Sequence, residues 1–484
     1  MTAFATVREL AADLRARRVS AVELVTAALE RLASVGPRYN AVASLMRARA
    51  LREAASADRA IAAGRAASPL TGIPYGAKDL LAARGAPTTW GAAPYRDQRL
   101  DFDATAVAKL KRAGAVLAAK LAMVELAGGG GYRYPSASLQ GPGRNPWDVG
   151  RWSGGSSSGS GAAVAAGLVP FALGSETSGS IGTPSAYCGV TGLRPTYGLV
   201  SRHGAMALSW TLDKIGPMAR TATDCAIVLE AIAGPDAKDP TASGRRFRAL
   251  APEAAREAVA AVRIGYAGEE IEDRASPEAR EALLRGVDEL RRIAPRFSDA
   301  RLPEELPYGA MVSTVYVAEG ATIHAELIES ERLDEMPDEK QKAGLRAALD
   351  IRARDYLQAM RLRVVLAARM RELFRSCDVI LSAGRTVTAT PIDQPLDAAP
   401  AAPSRETAAD PAATPRRPGN AGLIPAGNLA GLPALFFPCG LASDGLPVGL
   451  QLVGPPFSEP LLVALVEAYE RETGHHLRRP PLPA

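Results

Sequence analysis

RWSGGSSSGSGAAVAAGLVPFALGSETSGSIGTPSAYCGVTGLRPTYG (151–198) crowds Ser, Gly and Thr into two loops separated by a helix-like run and a strand. Glycines let backbone N–H groups approach a ligand closely, and hydroxyls supply nucleophiles and proton relays. A flexible linker has a similar composition. It does not bury a run such as AAVAAGLVPFAL (162–173), which is core-like.

Outward from this stretch, helices flank buried strands. TVRE at Thr6 and SAVE at Ser20 are capping boxes, so the first ~35 residues read as two helices, with a third over roughly 40–65. LTGIPYGAKDLL (70–81) is strand-like, 103–113 helical, and AGAVLAAK (113–120) a buried strand. LVPFAL and VTGL continue the strands, and LPALFFPCG and LPVGLQLVG (432–454) return to them before a final helix over 459–473. This alternation is an α/β pattern of strands sandwiched between helices. The spacing predicts a mostly helical segment over 245–380, with a Ser276-Pro277 helix start and one long amphipathic pattern over 340–376. Residues 388–418 read as an Ala/Pro-rich surface loop. The organisation expected is a single domain, 1–484, its core carried by about 60–235 and 425–475, with the 245–380 segment as a helical insertion.

Composition narrows the function. With 484 residues, 47% apolar and 23% charged, the chain can bury a large core without staples. Its 57 Lys+Arg against 52 Asp+Glu leave a net +5, scattered rather than blocked, so no nucleic-acid partner is expected from charge. Only 8 of those 57 cations are lysine. Cys188, Cys225, Cys377 and Cys439 lie far apart and form no CxxC pair, which fits reduced thiols in a cytoplasmic protein. MTAFATVRELAADLRARR lacks the apolar core of a signal peptide, and GAAVAAGLVPFALG (161–174) is too short and too Gly/Pro-broken to span a bilayer, so no membrane partner is expected. HExxH, SxxK, Walker and strand-borne GxGxxG motifs are absent, so no metal or other cofactor is expected.

The two loops, GGSSSGS (154–160) and ETSGSIG (176–182), resemble the paired loops of the amidase signature family, at the family's characteristic separation. GIPYGAKD, NPWD (145–148), CGVTGLRPTYG (188–198), NLAGLPA (428–434) and GLPVGLQLVG (445–454) match as well, so the resemblance covers most of the chain. It implies a large mixed β-sheet sandwiched between helices and a Ser-cisSer-Lys triad. Ser180 would be the nucleophile, Ser156, in a cis peptide with Gly155, the proton relay, and Lys78 the base. The backbone N–H groups of Thr177, Ser178, Gly179 and Ser180 would form the oxyanion hole. The chemistry is coherent: a serine needs a base to take its proton, and burial can depress a lysine pKa toward neutrality. GSSSG (155–159) also fits a nucleophile elbow with Ser157 attacking, but NPWDVGRWS is no apolar strand to precede it. That reading also needs a histidine from His203, His324, His475 or His476.

Departures from the family pattern set the expected substrate. Gly182 stands where many members carry an Arg, whose absence implies a roomier pocket. Ala421 stands where glutamine-using members tend to carry an Asp. Both point away from glutamine, toward a stand-alone amidase for neutral carboxamides, aryl or bulky, with carbamates and esters as further substrates. The expected partner is a small-molecule amide or carbamate, with a homodimer as an option. The alternative is the amidase-type component of a tRNA-dependent amidotransferase, which shares the signature and so is not separated by the triad. A catalytically dead binding protein fits less well, because all three triad positions are filled.

Overall fold

Both capping boxes form: the side chains of Thr6 and Ser20 accept from Glu9 N and Glu23 N, opening helices Val7–Arg15 and Ala21–Ser34. Each satisfies N–H groups that the first helical turn leaves without a partner. The computed structural model describes residues 3–396 and 422–481. In chain order its strands are β1 (Val42–Leu45), β2 (Pro74–Lys78), β3 (Val116–Leu121), β4 (Arg144–Asn145), β5 (Asp148–Trp152), β6 (Phe171–Glu176) and β7 (Thr191–Arg194). They continue as β8 (Lys214–Ala219), β9 (Ile264–Tyr266), β10 (Phe297–Asp299), β11 (Val379–Ala383), β12 (Ala434–Leu441) and β13 (Pro447–Val453).

Eleven strands form one mixed sheet in the order β1-β3-β2-β6-β8-β7-β12-β13-β11-β9-β10, and β4 pairs with β5 separately. β2 runs parallel to both β3 and β6, whereas β6, β8, β7, β12 and β13 are antiparallel neighbours. Every position of β2, β3, β6 and β8 is buried, so these central strands are covered on both faces. The Ser/Gly run forms helix Ser158–Ala165, buried at every position. Its glycines permit this: a Cβ at Gly159 would collide with the Ala41 carbonyl and the Ala122 backbone. Small side chains here are a packing requirement.

Three elements differ from the sequence reading. The third helix is Arg47–Ala62, and the residues ahead of it form edge strand β1. The 340–376 pattern is two helices, Glu339–Ala348 and Ala353–Leu373. The 245–380 segment is largely helical but also carries β9 and β10, which pair through β11 with the main sheet. Strands of three residues are too short for a period-2 pattern to show against helical flanks. The Ala/Pro stretch lies outside the described residues beyond 396, as does Ala421. All four cysteines are buried and free. Among the described residues no helix is long and apolar enough to cross a membrane.

Candidate active site

Lys78 ends β2, and its parallel neighbour β6 delivers the chain to the second Ser/Gly loop. The lysine is wholly buried. Its Nζ lies 2.7 Å from Ser156 Oγ and 2.9 Å from Ser175 Oγ, and no carboxylate pairs with it among the described residues. Burial disfavours the ammonium and brings its pKa down to about 7, against the opposing pull of Asp213 and Glu176. Lys120 is the contrast. It too is buried, but it sits 2.6 Å from Asp79 Oδ1 and 2.9 Å from Thr88 Oγ1. The aspartate of GIPYGAKD therefore serves the neighbouring strand and leaves Lys78 to hydroxyl partners.

Ser156 follows a cis Gly155–Ser156 bond. Its carbonyl accepts from Val124 N at 3.1 Å, and Ser157 N reaches Ser180 O at 3.3 Å, which stitches the two loops together. Ser180 is 9% exposed and Ser156 1%. The Ser157 hydroxyl bridges the backbone of Ser175, donating to its carbonyl at 3.2 Å and accepting from its N–H at 3.3 Å. This brace against β6 is its use in the fold, rather than that of an exposed elbow nucleophile.

The 177–182 loop is held from below. Glu176 accepts from Ile181 N and Gly182 N at 2.9 Å each, pairs with Arg194 at 2.8 Å and accepts from Asn428 Nδ2 at 2.9 Å. Burial alone would raise its pKa, but Arg194 and these donors outweigh it and hold the carboxyl at about 2. Asp213 accepts from Thr177 Oγ1 at 2.5 Å and from the N–H groups of Leu208 and Ser209. Gly179 has φ +88°, a left-handed conformation that lets the loop turn between these two anchors. The N–H groups of Thr177, Ser178, Gly179 and Ser180 make no hydrogen bond to the described residues, whereas those of the next two residues are taken by Glu176.

The structure thus brings Lys78, Ser156 and the Thr177–Ser180 loop together. Ser175, Glu176 and Asp213 were not singled out in the sequence, although the first two lie inside its Ser/Gly stretch. Their roles depend on a register that only the assembled sheet reveals. A cavity of about 450 Å³ opens beside Ser175 and Thr177, with His203 on its wall as a rim position.

A family model described as Amidase matches residues 23–463. The chain belongs to the amidase family. Among curated relatives, the A subunit of glutamyl-tRNA(Gln) amidotransferase from Azoarcus sp. (strain BH72) is 37% identical, covering 98% of this amidase-family chain and 99% of the relative. Further relatives of the same name from other bacteria are 34–37% identical over nearly the whole chain. Peptide amidase from Stenotrophomonas maltophilia superposes with a TM-score of 0.82 at 31% identity, covering 98% of each chain. A structure described as a vestigial protein complex revealing the evolutionary origins of an s-triazine catabolic enzyme gives 0.87 at 30% identity, covering 99% of this chain and 100% of that one.

These relatives correct two expectations. The stand-alone amidase for neutral aryl or bulky amides, carbamates and esters gives way, because full-length likeness runs to amidotransferase subunits. The expectation of a small-molecule partner without nucleic acid, and of a homodimer, falls with it. The physical reason is that cleavage residues are common to enzymes with different donors and acceptors, so the triad does not choose between them. Gly182 misled: a Cβ there would lie 2.5 Å from the Phe436 ring, so the position is closed by packing rather than opened for a larger substrate.

Proposed function

We propose that this chain is the amidase-type component of a tRNA-dependent amidotransferase, releasing ammonia from glutamine for transfer to a glutamyl-tRNA. The observation that carries the cleavage chemistry is the buried Lys78 amine, 2.7 Å from Ser156 Oγ with no carboxylate partner. The choice of donor and acceptor rests on the amidotransferase relatives. Because β9 and β10 join the main sheet, we read the whole chain as one catalytic unit, acting in the cytoplasm where tRNA is charged.

In this reading neutral Lys78 accepts the Ser156 proton while Ser156 Oγ accepts that of Ser180. Ser180 Oγ attacks the carboxamide carbon, forming a tetrahedral oxyanion. The free N–H groups of Thr177 to Ser180 receive the negative oxygen, one such donor contributing about 3 kcal/mol in the transition state. The proton returns through Ser156 to the leaving nitrogen, ammonia departs, and an acyl-Ser180 ester remains. Water then attacks the ester along the same relay. Ser175 holds the lysine from the other side, and Asp213 and Glu176 fix the loop.

A fluorophosphonate probe tests the assignment. Mass spectrometry should place the adduct on Ser180, and Ser180→Ala should abolish both the adduct and ammonia release from glutamine. An adduct on Ser157 would overturn it.

A further inference from the structure

We propose that Glu319, in the helical segment and far in sequence from the Ser/Gly loops, is a positioning residue that sets the shape of the Thr177–Ser180 loop through Asp213. Glu319 lies on the helix Tyr308–Ile323, and its side chain is 4% exposed. A buried carboxylate must be paired or fully hydrogen-bonded. No cation comes within ion-pair distance of Glu319 among the described residues, and uncharged donors fill its oxygens instead. Its Oε2 accepts from Ser209 Oγ and, at 3.2 Å, from Thr211 N. Its Oε1 accepts from Thr211 Oγ1 at 2.9 Å and from Tyr356 Oη at 2.8 Å.

Three of these donors belong to the short segment that also holds Asp213. Asp213 Oδ2 accepts from Leu208 N at 2.8 Å and Ser209 N at 2.9 Å, and Asp213 N donates to Ser209 O at 3.0 Å. Ser209 therefore has its backbone on Asp213 and its side chain on Glu319. From its other oxygen Asp213 accepts the Thr177 hydroxyl at 2.5 Å, one step beyond the Glu176–Lys214 pair of β6 and β8. The helix bearing Glu319 presses on the same segment: a Cβ at Gly320 would lie 3.3 Å from the Leu208 carbonyl oxygen. Arg363, on the helix Ala353–Leu373, donates to Thr211 O at 3.0 Å. Two helices of the insertion thus grip residues 208–211, and Asp213 passes that grip to the loop.

Oxyanion donors act only where they are held at the site of developing charge. Glu176 fixes the far end of the loop at Ile181 and Gly182, and Asp213 fixes its near end at Thr177. Glu319 makes no hydrogen bond to the loop or to Lys78, Ser156 or Ser180, so its action is indirect: it moves the rate of attack without touching the substrate. This inference rests on the reading of the loop as the receiver of the oxyanion, and not on which amide is the donor.

The test follows fluorophosphonate capture of Ser180 by the full chain, which needs neither substrate nor partner subunit. Glu319→Gln keeps the shape of the side chain but turns an amide NH2 toward donors. It should lower the maximal capture rate by roughly tenfold to a hundredfold, as small misplacements in a site do. The half-saturating probe concentration and the pH midpoint should stay at their wild-type values, because Lys78 is untouched. Thr177→Val should lower the maximal rate likewise, and Glu319→Gln added to it should lower it little further, since both act through Asp213. A thermal melt establishes that each variant is folded. Tyr356→Phe, which removes a single donor, replaces Glu319→Gln if the latter is not folded, and should give the same pattern at smaller size. Equal maximal rates in wild type and the folded variant, or losses that multiply in the double variant, overturn the inference alone. A wild-type adduct on a residue other than Ser180 rejects the reading of the loop and the inference with it.

Discussion

At the residue scale the decisive feature is how Lys78 is buried. A buried lysine can have a carboxylate counter-charge, as in the Lys120–Asp79 pair at 2.6 Å. Lys78 has only hydroxyls at hydrogen-bonding distance, and burial brings it from 10.5 to about 7. As a base it must be unprotonated, so activity is present above the pKa and lost as pH falls through it. The kcat/KM profile for amide cleavage should therefore rise with a midpoint near pH 7 and level off above. Lys78→Ala should lower kcat by roughly 10²–10⁴-fold, the usual contribution of a positioned base, and Lys78→Arg should not restore it, since arginine stays charged. A profile flat from pH 5 to 9 would remove Lys78 from the base role. Lysine is scarce in the sequence, 8 of 57 cations, but scarcity does not separate Lys78 from Lys109, Lys111 or Lys120. Only the structure shows that Lys78, unlike Lys120, has no carboxylate within ion-pair distance among the described residues.

At the element scale the 177–182 loop depends on a buried carboxylate at the end of β6. Glu176 ties together β7 through Arg194, the helix Leu423–Leu429 through Asn428, and the start of helix Gly182–Cys188 through two N–H groups. Removing one partner of a buried ion pair leaves the other uncompensated and typically costs about 3–5 kcal/mol. Glu176→Gln should show a loss of that size in denaturant unfolding and a fall in Ser180 labelling; stability within 1 kcal/mol of wild type would mean that the brace is not needed. Much of this architecture was legible in sequence. The capping boxes, the strand-like runs of β2, β3, β12 and β13, and the helix Glu459–Thr473 all form where periodicity and turn residues place them. What was not legible depends on non-local pairing. β9 and β10 are three residues each, and Ser175 and Asp213 acquire meaning only when β6 and β8 lie side by side.

At the scale of the whole molecule, one mixed sheet of eleven strands carries the site at the meeting point of β2, β6 and β8. The two signature loops close over it and are joined through Ser157 and Ser180. This core chemistry is indifferent to what supplies the amide and what receives the nitrogen, which is why sequence reasoning about substrate failed where reasoning about cleavage residues found a coherent cluster. Gly182 shows the error in detail, since an absent side chain was read as space when Phe436 fills it. The likeness to amidotransferase subunits, spanning 98% of the chain for the Azoarcus relative, moves the question from the pocket to the assembly. The most direct measurement of the proposed function is the conversion of glutamyl-tRNA(Gln) to glutaminyl-tRNA(Gln) by this chain with glutamine and the partner subunits that this function would require. The account requires conversion by wild type and none by Ser180→Ala unless ammonia is added. It would be contradicted if no conversion occurred under any of these conditions while the chain alone hydrolysed a neutral aryl amide.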